Sequence, residues 1–286
     1  MKLTGKILLS TLALICSTML AGAILSALPL SPPASPPGPA PSLALMVVGS
    51  LVLVIGLVPI ASGLGGRYVI RWLAVALMLY LATGVNTAIE LTIFGTYGGE
   101  RYLMVFYFLC FATTAAALAR LYGSKHPVPQ AQSLGTVQWL WRLAIAWLSF
   151  PVVYFVFGLC VAPFVLPIYQ AGVEGLRVPP LGIIMRTQML RSLLFLIASL
   201  PVIRLWTGSR RRLVVALGLA HTAMVGLYGL TQASFMPMQL RIIHSLEISA
   251  DSFVYALILA WLFCPRERLG APATLTTSVA STPSAA

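Results

Sequence analysis

The chain has 286 residues, of which 59% are hydrophobic and only 8% charged, whereas a soluble domain carries about a quarter charged residues. That balance excludes a water-exposed globular surface. The net charge of +12 does not point to nucleic acid, because the basic residues stand in short stretches between apolar runs, where Lys and Arg set membrane orientation. A crossing needs roughly 20 apolar residues, so the expected fold is all-α: a polytopic transmembrane helix bundle of about eight helices, forming one domain over 1–265.

Lys2 and Lys6 precede the first apolar run, at about 7–30. The arrangement is that of a signal peptide, but the run is too long for the usual 7–15-residue apolar core, so a retained first helix is expected. A linker over 31–42 follows, holding Pro32, Pro33, Pro36, Pro37, Pro39 and Pro41, which predicts an extended, semi-rigid extracytoplasmic loop. Further crossings are predicted at 43–64, 72–94 and 103–122. After the polar stretch around Lys125 and His126 comes Gln138-Trp139-Leu140-Trp141-Arg142. Trp and Arg favour the headgroup level, so 137–146 reads as a short interfacial helix ahead of a fifth crossing at 147–169, bent near Pro151 or Pro163. The remaining crossings fall at 188–206, 213–230 and 242–264. The tail 266–286, rich in Ala, Ser and Thr, is expected to be a disordered cytoplasmic segment.

Placing both termini inside puts Lys2, Lys6, Arg67, Arg71, Arg120, Lys125, Arg142, Arg204, Arg210, Arg211, Arg212, Arg266 and Arg268 on the cytoplasmic side. The other side receives Arg101, Arg177, Arg186, Arg191 and Arg241. Every inner loop is richer than its outer neighbours, which is the positive-inside pattern, and the expected location is the plasma (inner) membrane. Cys16, Cys110, Cys160 and Cys264 fall in or at the ends of apolar segments without a CxxC spacing, so neither a zinc knuckle nor a disulfide framework is indicated. The two halves of the chain differ in loop length and in where polar residues fall, so no internal repeat is expected.

Ionisable groups inside membrane helices cost several kcal/mol unless paired, and they single out Glu90, Glu247, Asp251, His221 and His244. In the eighth crossing His244, Glu247 and Asp251 share one helical face, and Arg241 widens it. Asn86 and Glu90 lie one turn apart in the third. Glu247 and Asp251, also one turn apart, repel each other unless a cation sits between them. Gly218, Thr222 and Gly226 form a small-residue stripe for close packing of the seventh helix, with His221 beside it.

These residues predict a polar intramembrane pocket near the extracytoplasmic face. Glu247, Asp251, His244 and Glu90 would supply acid–base groups, and His244, Glu247 and Asp251 are the ligand set if a divalent metal is bound. Arg186, Arg191 and Arg241, with Asn86 and His221, would hold a lipid-linked or other anionic membrane-borne substrate. A proton-coupled secondary transporter, with Asp251 and His221 as a relay, is the alternative, and a non-catalytic scaffold tied by three acids and three arginines is the third reading. No HExxH, phosphate-loop or GxSxG motif is present to name a reaction.

Overall fold

A computed structural model of the chain describes residues 1–34, 41–94, 99–123, 127–128, 135–171 and 179–264. Among these there is no strand, and eight helices are long and apolar enough to cross a membrane. They are α1 (Leu3–Ser26), α2 (Leu43–Gly63), α3 (Tyr68–Ile93), α4 (Glu100–Tyr122), α5 (Thr136–Gln170), α6 (Leu181–Leu205), α7 (Arg210–Gln232) and α8 (Met238–Phe263). Half of the Pro-rich linker, the stretch around Lys125 and His126, Arg177, and the tail 266–286 lie outside the described residues.

The expected short helix over 137–146 is not a separate element. Thr136–Gln170 is one unbroken helix of 35 residues with Pro151, Pro163 and Pro167 inside it. At about 1.5 Å per residue it is roughly 50 Å long, more than the ~30 Å hydrocarbon core needs. Its first turns reach past the apolar zone and find partners there. Trp139 stacks on Phe263, and Arg142 donates to the Leu262 carbonyl at 2.8 Å.

The arginine-rich end of the bundle uses its cations to close helix ends. The last carbonyls of a helix lack intrahelical donors and favour positive charge. Arg210 donates to Ala260 and Trp261 of α8, and Arg71 donates to Ala119 of α4. Inside the bundle, polar side chains bond across helices, as when Trp72 Nε1 of α3 donates to the Ala112 carbonyl of α4 at 2.8 Å.

Contrary to the reading of the sequence, the chain is built as two like halves, α1–α4 and α5–α8. In each half the second helix carries an internal proline, Pro59 or Pro201, four residues before its last turn closes. The third helix of each half starts with 12 α-helical residues, Tyr68–Leu79 or Arg210–His221, and then widens into a π-helical turn of 6, Tyr80–Val85 or Thr222–Leu227. Gly84 and Gly226 occupy the same place within those turns. Every pair of positions keeps one spacing along the chain. The same spacing relates Leu64 to Trp206, and these two residues pair directly in an antiparallel bridge.

That bridge is reciprocal: Gly65 N donates to Leu205 O and Thr207 N donates to Gly63 O, both at 2.9 Å. Reciprocity of this kind is what a two-fold axis between equivalent residues produces. The helix pairings repeat likewise. First packs on fourth and third on fourth within each half, while α2 meets α7 and α3 meets α6 across the boundary. Close approach is secured by small residues. A Cβ at Gly56 would stand 2.4 Å from the Ala223 Cβ, and one at Gly63 2.0 Å from the Trp206 ring.

Candidate functional site

Helix α3 delivers its polar residues immediately after the π turn. A π turn contains one more residue than an α turn and re-aims everything beyond it, which is why such turns gather at functional sites. Here it carries Asn86 and Glu90 to the face of α6. Arg191 of α6 meets both: Nε donates to Asn86 Oδ1 at 2.7 Å, and Nη2 lies 2.8 Å from Glu90 Oε1. Nη1 donates to Gln188 Oε1 at 3.4 Å, and Asn86 Nδ2 donates to Glu90 Oε1 at 3.2 Å. The guanidinium lies against the Phe195 ring, 5.7 Å from its centroid. This cluster joins the two halves, since α3 belongs to the first and α6 to the second.

The second cluster sits on α8. His244 Nδ1 is 2.8 Å from Glu247 Oε2, and its Nε2 is 2.8 Å from the Tyr169 hydroxyl of α5. One assignment satisfies both contacts: Nδ1–H donates to the carboxylate, and the tyrosine hydroxyl donates to Nε2. A carboxylate that fixes the ring in this way leaves Nε2 as the basic nitrogen. Asp251 lies one turn further along α8 and is buried, with Oδ1 unpartnered. It feels the charges of both Glu247 and Arg191, and Tyr154 of α5 feels all four of Arg191, Glu247, Glu90 and Asp251. Tyr154 therefore marks the space on which the two clusters converge. Gly158 of α5 borders that space, where a Cβ would make ordinary contact with Glu247 Oε1 at 3.5 Å.

Exposure grades across the space. Glu90 keeps 36% of its side chain accessible and His244 21%, against 7% for Arg191 and for Glu247. Glu90 and His244 are thus the accessible members of the group, and Arg191, Glu247 and Asp251 the buried ones. These residues lie further along their helices than hydropathy alone implies, because α6 and α8 start at Leu181 and Met238, several residues ahead of the apolar runs. At about 1.5 Å per residue Arg191 lies roughly 15 Å into α6, and Asp251 stands at the middle of α8.

Not all of the sequence-derived residues gather here. Arg241 turns the other way and holds the end of α7, donating to the Leu230 and Thr231 carbonyls at 2.7 Å. Arg186 is exposed on α6. The three arginines therefore do not form a common anion clamp, and they do not balance the three acids: Arg191 alone reaches the cluster. His221 lies deeper, where Nε2 meets Ser199 Oγ at 3.2 Å and the ring contacts Phe195 and Tyr255. It joins the site through Phe195, whose ring also carries Arg191. Among the described residues no three His, Cys, Asp or Glu side chains group as metal ligands, and Glu247 and His244 are engaged with each other.

Tyr154, Gly158, Tyr169 and Gln188 were not foreseen. Tyrosine near a helix end reads as ordinary interfacial dressing, and only the pairing of α5 with α8 gives Tyr169 its histidine.

The repeat supplies an internal comparison. The residue in the first half equivalent to Arg191 is Gly49, and the residue in the second half equivalent to Glu90 is Gln232. These two also meet: a Cβ at Gly49 would lie 3.0 Å from Gln232 Nε2. The same contact between halves thus exists twice, once charged and once neutral. Comparison of the chain with protein-family models, with curated proteins and with solved structures finds no match.

Proposed function

We propose that this multi-pass membrane protein is a proton-linked carrier for a small cationic or amphipathic substrate, which binds in the α3–α5–α6–α8 pocket. The observation that carries this reading is the pair of equivalent contacts. A fold that closes one of them with Gly49 and Gln232 has no structural need for an Arg191–Glu90 ion pair in the other. The charged version therefore serves a task. Its place on the boundary between two like halves, beside helices widened at mid-length, is where carriers built from repeats hold their substrates.

The pocket's chemistry sets the substrate class. Glu90, Glu247 and Asp251 offer three carboxyl groups against one guanidinium, which is already engaged by Glu90, Asn86 and Gln188. A cation entering between Glu247 and Asp251 relieves their repulsion and displaces a proton. This replaces the anionic head group first expected, whose three arginines stand apart. Both termini facing the cytoplasm and residence in the plasma (inner) membrane belong to this proposal, supported by the distribution of Lys and Arg.

Tetraphenylphosphonium and tetraphenylborate, nearly identical in shape and opposite in charge, test it. Calorimetry on the purified protein in two buffers of different ionisation heat reads both binding and proton release. The cation is expected to bind with release of a proton, and Glu247→Gln and Asp251→Asn to abolish the release. Preference for the anion would remove the proposal. A second reading, acid–base catalysis on a membrane-borne substrate, is favoured by the Tyr169–His244–Glu247 chain, and turnover without net proton movement would favour it.

A further inference from the structure

At about 100° per residue, Arg241, Ser245 and Ser249 fall on the side of α8 opposite Glu247 and Asp251. They line a groove of about 370 Å³ between α7 and α8, at the end of the bundle remote from Arg210, Arg211 and Arg212. Leu227 and Leu230 line it from α7, and Met238, Ile242 and Leu246 from α8. Those three residues of α8 are exposed, so in a membrane the groove opens to lipid.

The repeat shows what makes this space. At the spacing that relates Leu64 to Trp206, Ser245 corresponds to Leu103 and Ser249 to Tyr107. In the first half those places are filled: Leu103 is buried, and a Cβ at Gly84 would meet the Tyr107 Cβ at 2.7 Å. In the second half both serines turn their hydroxyls back to their own helix, Ser245 to Arg241 O at 2.7 Å and Ser249 to Ser245 O at 2.6 Å. The room gained is that of two side chains. It suits a hydrocarbon chain and not a partner helix, which is about 10 Å across. From Met238 to Ser249 the groove runs roughly 16 Å at 1.5 Å per residue. That is about half of the ~30 Å hydrocarbon core, the depth of one leaflet.

Arg241 sets the charge of the occupant. Its Nε and Nη2 hold the Leu230 and Thr231 carbonyls, and among the described residues no carboxylate pairs with it. The first turn of α8 contains no acidic residue and no side-chain cap, and a helix N-terminus favours an anion. The counterpart of Arg241 is Gly99, so cation and groove occur together in one half only. We propose that an anionic phospholipid seats here, with one acyl chain along the groove and its phosphate on Arg241. Its leaflet is the one opposite the arginine-rich end. The site is separate from the carboxylate pocket and does not depend on the carrier reading.

Photolabelling of the full-length protein in phosphatidylcholine nanodiscs tests this. Two trace lipids carry the same diazirine-bearing acyl chain, one with a phosphatidylglycerol head group and one with phosphatidylcholine, and peptide mass spectrometry maps the adducts. The phosphatidylglycerol lipid is expected to label 238–249 about fivefold more than its partner, the worth of one arginine against an anionic lipid. Ser245→Leu with Ser249→Tyr copies the filled first half. It should abolish that preference in 238–249 while labelling at the arginine-rich end persists, which also reports that the variant is folded. Equal labelling of the parent by both lipids would mean ordinary solvating lipid and overturn the proposal. A groove covered by a second copy of the chain would exclude both lipids and overturn it as well. Preference retained in a folded double variant would place the lipid elsewhere. If the double variant does not fold, the two lipids on the parent decide.

Discussion

Arg191 reaches across the boundary between the two halves and stands 2.8 Å from Glu90. Because Glu90 is partly accessible, solvent weakens the pair, and Arg191 retains Asn86 and Gln188 as acceptors. Glu90→Ala should then lower stability by about 1–3 kcal/mol, well short of the ~3–5 kcal/mol lost when a fully buried ion pair is broken. Melting in detergent measures it. Loss of the folded state in Glu90→Ala would show that the pair holds the halves together and nothing more.

The histidine on α8 is held from both sides, and its two partners should act differently when removed. Tyr169→Phe deletes one neutral hydrogen bond at Nε2, so cation affinity should fall by ~0.5–1.5 kcal/mol, which is about two- to tenfold. Glu247→Gln still offers an oxygen to Nδ1–H, leaves the fold intact and removes a carboxylate, so binding should be abolished. Calorimetry on both variants checks this. Equal effects would mean that His244 is merely wedged between two neighbours.

How far hydropathy reads this chain is visible in α5 and α6. Their apolar cores were evident, because lipid-facing residues such as Leu159 and Leu166 must be apolar. Their first turns were not: Trp139 and Arg142 read as a separate interfacial helix and Arg186 as lying ahead of its crossing, yet α5 and α6 run unbroken through them, and Trp139 and Arg142 find partners on α8. The same miscount placed Glu247 and Asp251 too near the surface.

The ionisable residues of the pocket stand out in sequence because charge in lipid is costly, but their partners do not. Arg241 lies one turn from His244 and looks like its neighbour, yet it points to the end of α7. The repeat is hidden for a simpler reason. Membrane helices exchange one apolar residue for another freely, and only a few marks such as Pro59 with Pro201 and Gly84 with Gly226 survive, too sparse to notice without the geometry.

Close packing of α7 on α8 depends on Gly218, where a Cβ would stand 2.6 Å from the Phe253 ring. Gly218→Leu should cost ~1–3 kcal/mol or more through overpacking. Gly22→Leu, in a helix where a Cβ meets nothing within 4 Å, should melt like the parent. Equal melting temperatures for the two variants would mean that α7 and α8 pack less tightly than described.

Leu64 and Trp206 pair directly, so their loops occupy the same side of the membrane. If the positive-inside distribution holds, cysteines placed at Gly208 and at Gly66 should be protected from an impermeant thiol reagent in intact cells. A cysteine at Ala171 should react. Labelling at Gly208 with protection at Ala171 would reverse the orientation.

The central claim is that the charged contact between the halves serves binding and not folding. The chain itself offers the control, since Gly49 and Gln232 fill the equivalent places. Arg191→Gly with Glu90→Gln copies the neutral contact onto the charged one, and the decisive measurement is the melting temperature of that double variant beside its affinity for tetraphenylphosphonium. The account predicts a melting temperature close to the parent's, with cation binding and proton release lost. A double variant that unfolds, or one that stays folded and binds the cation as the parent does, would contradict it.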